Sequence, residues 1–431
     1  MAAFMFSPKT RKAMKLNTVE GGFAVAAENL AAPYLSLFAL ALGATPSQIG
    51  MLTAFPNLIG NLLQIPAGLW SERMKDKRIL PTVGGYTARA TWALLAVVPF
   101  LVPAQYRVGV VIFLATFRIL AANIGVPAWT ALQADLIPKS IRGRYYANRN
   151  MVCNISALLA TFVATFLLGL RFPLNFQIIF GGAAVLGLTA SYIFSTIDFA
   201  QSPPKPKQAG TTFRSKVKDF WREVGTQRAF RNYVASSLIW NFGVNLASSF
   251  FVVYFVEDLG GAAGYWAVLS GINLATQVLV QRYWGRLADV FGQKNVMLAS
   301  GIGVVVLPLL WWGTRNAWFP FLIYAINGLA WGGYNLAAFN LLLEITPDDN
   351  RTVYVGGYNT LMGVAMAVGP LAGGFAAEIF GLRPLFLTSG LFRALGLYMF
   401  YRLVEDATQK RMGLKDLLPQ GRSARQRPTE L

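Results

Sequence analysis

The chain has no histidine, one cysteine (Cys153) and only 19 acidic residues among 431. A single thiol excludes an internal disulfide framework, and without imidazole no histidine-based zinc site can form. The same absences remove Ser-His and Cys-His nucleophile pairs, so an enzyme is not expected. No GxxxxGK[ST] stretch occurs, which removes the loop that cradles nucleotide phosphates and with it ATP-driven pumping by this chain. Charge is scarce too: 13% of residues are charged, against about 25% in a soluble domain. No cofactor and no metal are expected.

Apolar residues fill the space, at 55% of the chain, and they come in runs. "FAVAAENLAAPYLSLFALALG", "VVIFLATFRILAANIGVPAW", "VCNISALLATFVATFLLGL" and "VMLASGIGVVVLPLLWW" are each long enough to cross a hydrocarbon core of about 30 Å as a helix. A backbone in hydrocarbon must satisfy its own hydrogen bonds, so such runs read as transmembrane helices. Spans are expected at 17–42, 46–70, 79–102, 108–137, 146–169, 174–197, 231–256, 262–287, 294–314, 317–344, 352–380 and 382–404.

Twelve spans put both termini on one side of the membrane. Of the 38 Lys and Arg, 31 fall with the termini and the even-numbered connections, 4 on the opposite side and 3 inside spans. The positive-inside rule places the termini in the cytoplasm, which makes the net charge of +19 a matter of topology and not of nucleic-acid binding. The basic start (Lys9, Arg11, Lys12, Lys15) before span 1 could imitate a signal peptide. The run is too long for one and no cleavage site follows, so it is read as retained.

Two stretches resemble each other: "ADLIPKSIRGRYYANRN" (134–150) and "LEITPDDNRTVYVGGYN" (343–359). Asp135/Glu344, Pro138/Pro347, Arg142/Arg351, Tyr145/Tyr354 and Asn150/Asn359 pair at a constant offset of 209 residues. Earlier in the chain an offset of 217 aligns Phe38/Phe255, Gly43/Gly260, Gln64/Gln281, Gly68/Gly285 and Glu72/Asp289. The chain is therefore read as a duplicated six-span unit. Its halves are 1–197 and 231–404, joined by a Pro- and Lys-rich cytoplasmic linker, 198–230, with a possible short amphipathic helix, and followed by a polar, disordered tail, 405–431.

"GLWSERMKDKR" (68–78) and "GRLADVFGQK" (285–294) resemble the loop 2–3 and loop 8–9 signature of the major facilitator superfamily, Gly-x-x-x-Asp-Arg-x-Gly followed by basic residues. Position 72 is Glu where the family has Asp, Lys75 replaces the second Gly, and Val290 replaces the Arg. The resemblance implies an all-α integral membrane protein with twelve transmembrane helices in two six-helix pseudo-symmetric halves. It implies secondary active transport by alternating access around a central cavity, in a cell membrane and as a monomer. It also implies a cytoplasmic gate, drawn here from Gly68, Glu72, Arg73, Asp135, Arg142, Gly285, Asp289, Glu344 and Arg351. Gly68 and Gly285 would let helices approach closely, and the carboxylates would meet the corner arginines.

Within the spans only Glu28 is an acid near mid-depth, roughly 16 Å in at 1.5 Å per residue. Glu20 is placed one turn into span 1, and Glu378 near the outer end of span 11. An intramembrane carboxylate normally marks an ion or substrate pathway. Arg118 lies at similar depth in span 4, and in the family spans 1 and 4 both line the cavity. Burial raises a carboxyl pKa and a nearby arginine lowers it, so Glu28 with Arg118 is expected to carry the coupling proton; the bland alternative is a packing pair. Asn241, Asn245, Asn273, Gln277, Asn327, Trp331 and Asn335 are expected to line the cavity and recognise a small polar solute. Arg89 and Arg393, in spans peripheral in the family, are expected to snorkel. "VGPLAGG" (368–374) reads as a bend in span 11. Symport or antiport of a small organic molecule with protons leads. The alternatives are a proton-linked multidrug exporter and, from another class, a non-transporting receptor or assembly factor on the same scaffold.

Overall fold

A computed structural model describes residues 7–71, 74–137, 141–199, 227–346 and 351–405, and every regular element among them is helical. The linker from 200 to 226 and the tail from 406 lie outside the described residues. Span 1 is Pro8–Ala41, followed by Pro46–Ser71, Ile79–Leu101, Arg107–Leu136, Arg142–Leu168 and Leu174–Ser195. Spans 7 to 12 are Arg228–Glu257, Ala263–Phe291, Gln293–Gly313, Phe319–Ile345, Arg351–Phe380 and Leu382–Leu403.

Eight of these helices contain an 18-residue window apolar enough to cross a bilayer. Spans 2, 3, 10 and 12 fall short because amides and guanidiniums, such as Asn327, Asn335, Arg89 and Arg393, interrupt their apolar runs. Large apolar side chains including Phe113, Phe162, Phe166, Ile302 and Leu391 are exposed on the outside, a surface suited to lipid and not to water.

Span 1 starts nine residues earlier than the apolar run alone suggests. Ser7 Oγ accepts from Thr10 N at 3.2 Å and Pro8 occupies the first turn, so the helix begins in the basic stretch. The same span breaks at Ala32–Tyr34, a 3-10 turn containing Pro33, before resuming as Leu35–Ala41. Span 7 breaks at Ser249–Phe250, starting 217 residues after the break at Ala32, and resumes as Phe251–Glu257. Gly43 and Gly260, another 217 apart, both close their spans with positive φ, +88° and +65°. The duplication is thus written into the backbone as well as the side chains.

Packing repeats in the same way. In the first half span 1 lies between spans 5 and 6, span 4 between 2 and 3, and span 3 against 6. Adding six to each number gives the second half: 7 between 11 and 12, 10 between 8 and 9, and 9 against 12. The halves meet where span 2 packs on 11, span 8 on 5, and the short end segments of spans 1 and 7 on each other.

The tight contacts between halves gather at the end away from the termini. A Cβ on Gly50 would run into the Pro370 carbonyl, and one on Gly374 would stand 2.9 Å from Pro46 O. Ser47 Oγ donates to Glu378, Thr53 Oγ1 lies 2.9 Å from Ser249 Oγ, and Gly264 abuts Thr165 O. At this end, then, the interface is close-packed backbone on backbone. With Thr53→Cys and Ser249→Cys introduced together, mild oxidation should cross-link the halves, because the two side-chain tips already touch. Adding Gly50→Leu should wedge spans 2 and 11 apart and cut the cross-linked fraction on a non-reducing gel; no cross-link in the double-cysteine variant would contradict this packing.

Candidate functional site

Glu28 occupies the last turn of the long first helix, where Ala32 N–H caps the Glu28 carbonyl before the Pro33 break. Its carboxylate accepts from Arg118 Nη1 of span 4 at 2.9 Å. The two ends of the pair differ. The Arg118 side chain is 9% exposed and that of Glu28 is 48% exposed. Arg118 also lies over the Trp92 ring at 4.4 Å, and Trp92 in turn stacks on Phe180. The guanidinium is therefore held by an aromatic face and a carboxylate, and Glu28 turns its free side into a cavity of about 460 Å³ within the first half. Glu28 and Arg118 therefore meet directly.

The same cavity holds a second charge cluster that the sequence reading missed. Glu20, 4% exposed, accepts from Arg89 Nη2 at 3.2 Å and faces Arg149 Nη2 at 3.6 Å. Arg89 reaches it from span 3, where its Nη1 also donates to Ser191 Oγ at 2.7 Å and its stem fills the space beside Gly187. Arg89 therefore does not snorkel: a buried carboxylate and a hydroxyl hold it inward. Glu20 is buried because Arg89 and Arg149 close over it from spans 3 and 5. One turn below, Asn17 and Gln133 exchange amide hydrogen bonds of 2.7 Å, and Asn17 Nδ2 donates to Tyr145 Oη. Tyr145, one of the repeated corner residues, thereby ties span 5 to span 1.

In the second half the amides divide. Asn241 and Asn245 donate to their own helix at Ser237 O and Asn241 O, both at 2.8 Å, and Asn241 also meets Met362 of span 11. Each spends an amide N–H on its own helix, and Asn241 alone of the two also bonds across to span 11. Asn327 Nδ2 donates to Asn273 Oδ1 at 2.8 Å, joining spans 10 and 8. Gln277, Trp331 and Asn335 line a cavity of about 290 Å³, where Asn150 and Asn154 of span 5 and Gln281 of span 8 complete a polar wall. Asn150, Asn154 and Gln281 were not among the expected cavity residues, although Asn150 and Gln281 stand in the repeated registers. Nor does Arg393 snorkel. It is 2% exposed, and its guanidinium donates to the Val304 and Val244 carbonyls at 3.0 and 3.4 Å.

Of the gate residues, Glu72 and Arg73 lie outside the described residues, as do the side chains of Arg142 and Arg351 and the surroundings of Gly68. Asp135, Asp289 and Glu344 are exposed at the ends of their helices. Gly285 is not a point of close approach: an added Cβ would meet only Leu336, at 3.9 Å. In the second half that role belongs to Gly328 and Gly332 of span 10, against which the Asn273 and Gln277 backbones press. In the loop after span 2, Asp76 accepts from the Arg78 side chain and backbone at 2.9 Å, a local turn lock.

Removing one partner of a buried ion pair leaves a stranded charge, at a cost of about 3–5 kcal/mol. Glu20→Gln, which takes the acid from both Arg89 and Arg149, should therefore lower the melting temperature of the purified protein markedly. Adding Arg89→Ala removes one of the two stranded cations and should recover part of the loss. If the double variant is as unstable as the two losses added together, the pair is not coupled.

A family model, "Major Facilitator Superfamily", matches residues 21–282 and 256–426. The Multidrug resistance protein MdtG of Dickeya zeae is 33% identical over 147 residues, which cover 33% of this chain and 36% of the relative. The chain thus matches about a third of the length of its curated relatives. Among solved structures, a point mutant of the nucleoside transporter NupG superposes with a TM-score of 0.72 at 12% identity, over 91% of this chain and all of that one. A bacterial homologue of the human lysosomal transporter Spinster, inward-facing and occupied, gives 0.69 at 12% identity over 92% and 97%. With the family model matched along nearly its whole length and the paired six-helix halves in place, this chain belongs to the major facilitator superfamily.

Proposed function

We propose that the chain is a secondary active transporter that moves a small organic solute by alternating access in a cell membrane, coupled to protons and working as a monomer. The observation that carries this reading is the Glu28–Arg118 pair: a carboxylate half-exposed to a cavity, against a buried guanidinium. Protonation of Glu28 would release Arg118, and deprotonation would restore the 2.9 Å contact. That gives the cavity two electrostatic states that a solute or a change of facing can select. Solute contacts are assigned to Gln277, Trp331 and Asn335 with Asn150, Asn154 and Gln281.

The units are 1–197, 198–230, 231–404 and 405–431, with the termini cytoplasmic as the lysine and arginine distribution requires. The tightly packed end then faces outward, and the polar cavity between spans 5, 8 and 10 faces the cytoplasm. When the halves rock the other way, Glu72, Arg73, Asp135, Arg142, Asp289, Glu344 and Arg351 would close that side. A second reading, export of varied drug-like compounds, is favoured by the partial likeness to the multidrug resistance protein.

The test is a thermal-shift screen of candidate solutes on wild type and Glu28→Gln at acid and mildly alkaline pH. A ligand at 100 times its Kd should stabilise by about 2.7 kcal/mol. For exchange against protons, solute binds while Glu28 is ionised, so stabilisation shrinks at acid pH; for symport it grows. Glu28→Gln should respond equally at both pH values. Hits whose pH dependence survives in the variant would remove Glu28 from the coupling role.

A further inference from the structure

The second half contains a buried cation without a counter-ion. Arg393 stands at the middle of span 12, 2% exposed, with its Nε unpartnered and its two terminal nitrogens on the Val304 and Val244 carbonyls. Carbonyls satisfy donors but leave the positive charge unbalanced. Among the described residues no carboxylate lies within ion-pairing distance of it. The half has none to offer at that depth, since Glu257, Asp258, Asp289, Glu344, Asp348, Asp349 and Glu378 all stand at span ends or in connections. The first half differs: Arg89 and Arg118 each have an acid. At the repeat offset of 209 the first half has Ala184, so the charge is not a relic of the duplicated unit.

Arg393 lines a cavity of about 270 Å³ between spans 7, 9, 10 and 12. Trp311, Tyr324 and Trp331 form its aromatic walls, Asn327 adds an amide, and Ser248 lies exposed at its rim. Apolar walls around a single fixed cation suit a compact hydrophobic body carrying one anionic head. The volume falls just below the usual range for drug-sized ligands, about 300–1,000 Å³, and so calls for a small one. We propose that this cavity binds a small organic carboxylate, its head on Arg393 and its body against Trp311, Tyr324 and Trp331. The site is distinct from the Glu28–Arg118 pair and touches the amide-lined cavity only through Trp331.

The probe is sodium benzoate, with benzamide as its neutral isostere, added to the full chain purified in detergent and followed by titration calorimetry and thermal shift. Benzoate should bind saturably and at least tenfold more tightly than benzamide. Arg393→Gln should weaken benzoate tenfold or more and leave benzamide unchanged, while Arg393→Lys keeps part of the preference for the anion. Glu28→Gln should bind benzoate like wild type, so this result stands or falls apart from proton coupling. Equal binding of benzoate and benzamide, no saturable benzoate binding, or undiminished binding by a folded Arg393→Gln would each overturn the assignment. If Arg393→Gln does not fold, Ser248→Phe decides. A ring at the rim should block benzoate without touching the guanidinium, and an unaltered affinity there would also overturn the proposal.

Discussion

Hydrocarbon cannot solvate a charge, and this constraint arranges the interior of the molecule. An ionised side chain at the centre of a membrane helix costs about 2.5–3.5 kcal/mol on insertion scales, so each one kept inside must find a partner on another helix. Glu20 draws Arg89 from span 3 and Arg149 from span 5; Glu28 draws Arg118 from span 4. Span 1 thereby becomes the electrostatic axis of its half. The pairs fix which faces of spans 3, 4 and 5 turn inward, and they leave a charged cavity where an apolar core would otherwise stand.

The second half uses the same backbone plan with different chemistry. Its broken first helix, its closing glycine and its helix neighbours all repeat those of the first half. Yet where span 1 carries Glu28, span 7 carries Asn245, bonded to its own helix, and where span 4 carries Arg118, span 10 carries Asn327, bonded to Asn273. Amides need hydrogen bonds but no counter-charge, so this half is braced by neutral contacts. The Glu28–Arg118 pair thus lies within the first half, whereas the neutral polar wall is shared between span 5 of the first half and spans 8 and 10 of the second.

At that interface the closed end is made of small residues and backbone. Gly50, Gly264 and Gly374 let helices of opposite halves approach closely, with Ser47–Glu378 and Thr53–Ser249 as side-chain contacts across them. Such a surface can part and re-form with little loss, whereas the Asn17–Gln133–Tyr145 network and the ion pairs, all internal to one half, hold that half as a body.

Much of this was legible in the sequence, because hydrocarbon imposes long apolar runs and duplication leaves a constant register. The twelve spans, the two offsets and the place of Glu28 and Arg118 within apolar runs all follow from composition along the chain. What the linear pattern could not supply was depth and direction. Glu20, one turn into the apolar run, is buried because Arg89 and Arg149 reach it from two other helices. The rotation of spans 3 and 12 turned Arg89 and Arg393 inward, where snorkelling had been expected. Whether an Asn in a span faces a cavity, a neighbour or its own carbonyl is settled by packing, since each choice satisfies the same hydrogen bonds. Residue types and their spacing therefore determined how many helices there are and which charges enter the membrane. Only the tertiary structure decided which charges meet, because helices far apart in the chain are brought into register by packing.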